Sequence, residues 1–217
     1  MLTECLANML SRETKIVATD LNPAMLAVAE RNLVNFKNTV FKVADGVDLP
    51  FGDASFDTVV CQFGVMFFPD LAQGYREANR VLKHGGELIF NVWDALDKNH
   101  LSRVVHESAI RLDVEDPPNF LERPYAYNDI NVITTQLAEA GFFDISVEVL
   151  EKTSHANSAR EVAAALASGS PLAAQLSERE LSDVAVDTLE TDLVSKYGDG
   201  EISAPMQAIV FHAKPSA

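Results

Sequence analysis

The chain has 217 residues, 47% of them apolar, with 32 acidic against 17 basic side chains and a formal charge of −15. This length suits one domain, or one domain with a modest insertion, and the apolar share is ample for a packed core. The acidic balance argues against nucleic acid and anionic membranes, which select basic surfaces, and no apolar run approaches the length of a membrane span. Cys5 and Cys61 show no metal spacing and read as buried thiols of a reducing compartment. The first residues carry Glu4 and no basic start, unlike a signal peptide. The expected location is cytoplasmic.

Leu2, Leu6, Met9 and Leu10 recur at helical spacing and predict a helix over 3–12. A strand over 15–20 follows, its small and β-branched residues running into Asp20. Asn22 is placed to cap, and Pro23 to begin, a helix over 24–34. Val40, Phe41 and Val43 mark a second strand over 39–44, ending at Asp45-Gly46. After a loop around Leu49-Pro50-Phe51 and Gly52-Asp53 comes a nearly all-apolar strand over 58–63, the pattern of one covered on both faces. Leu71, Tyr75, Ala78, Val81 and Leu82 form the inner face of a helix over 70–83, which His84-Gly85-Gly86 ends before a strand over 87–92. Strand–helix units in succession define a parallel, doubly wound α/β sheet. A helix feeding the first strand implies an earlier parallel strand, and the sequence contains none.

Beyond Trp93 the rhythm changes. Helices are predicted over 99–112 and 128–140, the second stopped by Gly141, with Asp116-Pro117-Pro118, Phe120, Tyr125 and Tyr127 between them. A strand over 145–150, helices over 158–167 and 177–197 separated by Ser168-Gly169-Ser170-Pro171, and a strand over 205–214 complete the chain. The later helices read as a lid on the same domain.

Ligands of open α/β sheets sit beyond the carboxyl ends of the strands, where an acid commonly binds ribose hydroxyls. Asp20 and Asp45 end neighbouring strands, so one carboxylate can accept from a ribose diol and the other from an adenine amino group. Acids after strands also simply start helices. Their recurrence at equivalent points of successive units favours a nucleoside site.

Five ordered segments carry a resemblance: Val17-Ala18-Thr19-Asp20-Leu21-Asn22-Pro23-Ala24-Met25-Leu26; Ala44-Asp45-Gly46; Leu49-Pro50-Phe51 with Ser55-Phe56-Asp57; Cys61-Gln62-Phe63-Gly64; and Arg80-Val81-Leu82-Lys83-His84-Gly85-Gly86. Together they resemble the class I S-adenosylmethionine-dependent methyltransferases, in particular the small-molecule group that includes the ubiquinone/menaquinone-biosynthesis type. The match is strong to Trp93 and weaker beyond. The resemblance implies a Rossmann-like, mostly parallel sheet with an antiparallel last strand and helical lid insertions. It implies one domain over 1–217, with a cofactor core over 1–93, a lid over 94–205 containing one sheet strand, and the last strand over 206–214. It also implies S-adenosylmethionine as cofactor. Asp20 would hold the ribose, Leu21 or Met25 pack the adenine face, Asp45 and Gly46 meet the adenine edge, and Gln62 and Phe63 lie near the methionine portion. The family's first strand and its glycine-rich loop, whose N–H groups receive the methionine carboxylate, are missing. Their loss would leave two interior strand edges unpaired, so the chain reads as truncated, impaired in binding the cofactor, and in need of a partner, such as a second copy.

Trp93, His100, His106, Tyr125, Tyr127 and Gln207 are candidates to meet a small-molecule acceptor. His106 is a weak candidate general base, its imidazole suited to proton transfer near neutral pH; as a surface histidine it would instead pair with Glu107 or solvent. The aromatics equally suit a lid core. Methyl transfer competes here with a non-catalytic remnant that acts in binding or assembly. A nicotinamide-dependent dehydrogenase ranks third, because Asp20 fits it and the later motifs do not.

Overall fold

The structure, a computed structural model, describes residues 2–215; Met1 and residues 216–217 of the expected domain lie outside the described residues. It opens with α1 (Leu2–Met9) and β1 (Ile16–Asp20). Asn22 caps α2 (Pro23–Asn32), its side-chain oxygen accepting from the Ala24 N–H, and Pro23 occupies the first helical position, where an N–H would have no intrahelical partner. β2 (Thr39–Val43) runs parallel to β1, Ile16 opposite Thr39 and Asp20 opposite Val43. A parallel pair follows from β3 (Phe56–Gln62) and β4 (Leu82–Trp93), joined through a 3-10 turn at Val65–Phe67 and α3 (Leu71–Val81).

The second half contains α4 (His100–Leu112), α5 (Glu122–Ala126), α6 (Ile130–Glu139), β5 (Phe142–Ala156), α7 (Ala159–Gly169), α8 (Leu172–Glu178), α9 (Ser182–Tyr197) and β6 (Ile202–Pro215). β6 lies antiparallel between β4 and β5. Its ladder with β4 runs only from Leu88↔Ala213 to Trp93↔Ala208, whereas its ladder with β5 continues to Ala156↔Ile202. The far end of the β5–β6 ribbon therefore leaves the sheet and runs among the lid helices, where Ile202 and Ala204 join the lid core.

The strands form two sheets, β1-β2 and β3-β4-β6-β5. Among the described residues, β1 ladders only with β2 and β3 only with β4, so each has an unpaired edge. The expectation that β3 is covered on both faces is corrected: none of its residues is buried, and Thr58 is exposed. An apolar run marks a buried strand only when neighbours cover it, and one edge of β3 has no strand beside it.

Other boundaries shift for local reasons. α3 ends when Leu82 turns extended (φ −75°, ψ 138°), before the glycines. Gly85, at φ +75°, instead serves an irregularity in β4, where the β3–β4 register jumps from Phe56↔Leu82 to Thr58↔Glu87. The helix predicted over 177–197 breaks between α8 and α9, with Glu180 in the left-handed region at φ +57°. α5 has no counterpart among the predicted elements. Cys61 is half-buried, but Cys5 is exposed rather than buried.

Among the described residues, two apolar clusters form the core from β3 onward. One fills the sheet with Tyr75, Phe90, Ile133, Leu137, Phe142 and Phe211, the Phe90 and Phe211 rings stacked at 4.9 Å. The other joins the lid helices through Val105, Leu172, Leu176, Leu189 and Leu193. Trp93 packs against both.

Candidate active site

The carboxyl ends of β1 and β2 bring Asp20 and Asp45 to one edge. Asp20 is exposed, and its Oδ1 accepts from the Asn22 N–H at 2.8 Å. Its main-chain carbonyl accepts from the Ala44 N–H at 3.2 Å, tying the two strand ends together. Asp45 is half-buried, with Oδ1 accepting from the Val47 N–H at 3.1 Å. Beside Asp20, Leu21 and Met25 are 67% and 55% exposed, bare apolar surface next to a free carboxylate oxygen.

Gly46 has a packing reason to be glycine. A Cβ there would stand 2.3 Å from the Phe68 ring, and one at Gly74 would meet the same ring at 2.3 Å. The following loop is fastened to α3. Glu77 Oε2 accepts from the Leu49 N–H at 2.7 Å, and Arg80 donates to the Leu49 and Phe51 carbonyls at 3.0 and 2.7 Å. Arg80 also donates to Asp53 and Glu77. Its guanidinium holds the Glu77 carboxyl below the usual range.

Gln62 ends β3 exposed. Phe63 turns the chain at φ +51°, a conformation that costs an ordinary residue about 1–3 kcal/mol and persists only when its surroundings enforce it. Here its ring stacks on Trp93 at 3.9 Å and 14°, and its N–H donates to the Asn91 carbonyl at 3.2 Å. Burial pushes the neighbouring Cys61 thiol up.

Beyond Trp93 a cavity of about 480 Å³ opens under the lid, walled by Phe67, Trp93, Phe120, Tyr125, Leu166 and Met206, with Ser102, His155 and Glu161 as polar groups. Phe67 and Phe120 stack at 6.2 Å. The Tyr125 hydroxyl donates to Ser102 Oγ at 2.7 Å, and burial raises its pKa. His155 Nδ1 lies 2.9 Å from Ser203 Oγ.

The acceptor candidates are thus divided. Trp93 and Tyr125 line this cavity, whereas His100 and Gln207 line a second, polar one. Tyr127 packs against the sheet core and bonds through its hydroxyl to Tyr75 and Gln136. His106 lines neither cavity. Its Nε2 lies 3.9 Å from Glu122, and its buried Nδ1 has no hydrogen-bond partner. Glu107 pairs with Arg103 at 3.6 Å instead. Phe67, Leu166, Met206 and His155 escaped the sequence reading, because nothing in their local pattern separates a cavity wall from a packed core.

Comparison with known proteins agrees with this architecture. Residues 2–90 match the family described as Methyltransferase domain. A demethylmenaquinone methyltransferase of Chlorobaculum parvum is 44% identical over 72 residues, 33% of this chain and 29% of that protein. A ubiquinone/menaquinone biosynthesis C-methyltransferase of Rickettsia felis is 38% identical over 77 residues, 34% and 31% of the two chains. Each match covers less than a third of the relative's length. Among solved structures, a Bacillus halodurans protein provisionally assigned as a methyltransferase superposes with TM-score 0.61 at 21% identity, covering 99% of this chain and 88% of that one. A phosphoethanolamine N-methyltransferase of Haemonchus contortus, solved with S-adenosylhomocysteine, gives 0.57 at 16% identity, covering 99% and 46%. The likeness to these structures is one of fold. Residues 2–90 thus carry the sequence of a methyltransferase domain, similar over that stretch to the quinone-biosynthesis methyltransferases.

Proposed function

We propose that this chain is a cytoplasmic methyltransferase that uses S-adenosylmethionine to methylate a small-molecule acceptor. The observation that carries the reading is the parallel pairing of β1 with β2, Asp20 opposite Val43, so that Asp20 at one strand end and Asp45 two residues past the other share an edge with exposed Leu21 and Met25. This donor set fits an adenosine: Asp20 keeps an oxygen for a ribose diol, Asp45 and the Gly46 backbone offer a polar edge, and Leu21 and Met25 offer a face for a flat base. Gln62 and Phe63 would adjoin the methionine portion. When bound, the cofactor supplies an electrophilic methyl group on a sulfonium. The chain's own contribution is to position the acceptor and exclude water, and the apolar lid cavity beside Phe63 and Trp93 suits a flat, largely apolar acceptor.

Asp20→Ala tests the reading. Removing one charged hydrogen bond is expected to weaken S-adenosylhomocysteine binding by about 1.5–3 kcal/mol in calorimetry. Unchanged affinity removes Asp20 from the site.

A second reading is supported by the divided sheet. Among the described residues, no strand lies between the free edges of β1 and β3. The chain would then bind adenosine-like ligands without transferring methyl groups, and act in binding or assembly with a second copy covering the open edges. Light scattering that finds a stable monomer, together with methyl transfer to any acceptor, would discard it.

A further inference from the structure

The polar cavity has a chemistry of its own. It is an open depression of about 470 Å³ between the start of α4 and the projecting β5–β6 ribbon, with Lys98, His100, Lys152, Thr153 and Ser203 in its wall. One carboxylate, Glu151, also lines it, and its Oε1 accepts from the Gln207 side chain at 3.3 Å. Among the described residues, neither Lys98 nor Lys152 has an ion pair, a side-chain hydrogen bond or a ring contact. Arg12, Lys15 and Arg31, all before residue 37, share this lack, and the other twelve lysines and arginines have such a partner. In a chain with 32 acids and 17 bases, Lys98 and Lys152 are the two of these unpartnered basic groups that share the wall of one cavity.

The position adds to the charge. His100 is the first residue of the 13-residue α4, whose opening N–H groups lack intrahelical partners and carry the positive end of the helix dipole. Asn99 fixes that end to the ribbon: its Oδ1 accepts from the Gln207 N–H at 3.1 Å, and its Nδ2 donates to the Gln207 carbonyl at 3.2 Å. The lysine on the helix side and the lysine on the strand side are thus held across one built junction rather than on separate mobile loops.

We propose that this cavity binds the anionic group of a small ligand, a phosphate or a carboxylate, between Lys98 and Lys152, with the His100 ring and the Ser203 hydroxyl as further donors. The site is independent of the methyl-transfer reading.

Inorganic phosphate and acetate, titrated separately into the isotope-labelled full chain at constant ionic strength, test it by amide chemical shifts. Saturable shifts are expected within residues 98–100, 151–153 and 203–207 at millimolar affinity, and the anion with the tighter response identifies the source chemistry. The double variant Lys98→Gln/Lys152→Gln alters two exposed side chains, so its unfolding midpoint should match the parent. Its affinity should fall about tenfold, roughly 1.4 kcal/mol. Absent or non-saturable shifts with both anions, or an unchanged titration in the folded double variant, would overturn the site.

Discussion

The segment from α1 to β2 and the body built on β3–β6 follow the same strand–helix grammar, yet only the second is packed. Before residue 44, Ala7, Leu26, Ala29 and Leu33 are buried and belong to neither apolar cluster. Met9, Leu21, Met25, Val34, Val40 and Val43 are between 49% and 82% exposed in the same segment. In the body, β4 and β6 are flanked on both edges by other strands, and Phe90, Val92, Ile209 and Phe211 are at most 1% exposed. Secondary structure can be specified locally, whereas burial requires neighbours. The largest free-energy term follows burial, so stability should be concentrated in the body and the proposed nucleoside edge carried on the lightly anchored part.

The widest gap between the two regions is expected from core truncation. Phe211→Ala removes a fully buried ring stacked on Phe90 and should destabilise by about 3–5 kcal/mol in denaturant unfolding. Val40→Ala, at a side chain 59% exposed on β2, should stay within about 0.5 kcal/mol. Equal losses would show that β2 is packed as tightly as β6.

Gly46→Ala probes the joint between the regions. The Phe68 ring lies against Gly46 and Gly74, each of which would bring a Cβ to 2.3 Å, so the ring cannot retreat from one without meeting the other. Overpacking of this kind should cost about 1–3 kcal/mol of stability. A variant of parental stability that loses S-adenosylhomocysteine binding would instead make Gly46 a ligand contact first.

These contrasts also explain what could be read without coordinates. Elements with local signatures were legible: Asn22-Pro23 at the start of α2, Gly141 after α6, and the apolar core of β6. So were the mixed α/β class, the antiparallel last strand and the carboxyl-edge position of Asp20 and Asp45. Exposure was not legible where it depends on which elements lie alongside. The apolar run of β3 looks the same whether or not a strand lies beside it, and Cys5 carries no local mark of its exposure. Gly85-Gly86 suggested a helix stop, but their role is set by the β3–β4 register, a non-local property. Of the acceptor candidates, only Trp93 and Tyr125 reach the lid cavity, because periodicity puts an aromatic on a helix face without saying what that face meets.

A smaller effect is expected from the fastening of the loop after β2. The fold favours ionised Glu77, chiefly because Arg80 donates to it. That contribution is present above the ordinary carboxylate pKa of about 4.3 and is lost as pH falls through the lowered value in the folded chain. Glu77→Gln should therefore cost about 1 kcal/mol near neutral pH, and the difference from the parent should shrink in acid. A difference independent of pH from 7 to 3 would mean that the charge on Glu77 does not hold the loop.

The smallest effect on stability, and the sharpest test of the comparison, is expected at Met25. Its side chain is 55% exposed on α2, one residue beyond the Ala24 N–H that Asn22 caps. No residue of α2 belongs to either apolar cluster, so the substitution leaves the packed body untouched. Such a side chain removes little apolar area from water on folding, and Met25→Ser should change unfolding free energy by no more than about 0.5 kcal/mol. If the exposed methionine instead serves as a face for the adenine ring, its apolar area is buried only when ligand binds. The same substitution should then weaken S-adenosylhomocysteine about fivefold, close to 1 kcal/mol. Loss of stability without loss of binding would reverse the assignment and make Met25 a packing residue. Loss of neither would leave Leu21 as the apolar wall beside Asp20, and the Leu21→Ser variant, 67% exposed in the parent, would then carry the whole fivefold effect.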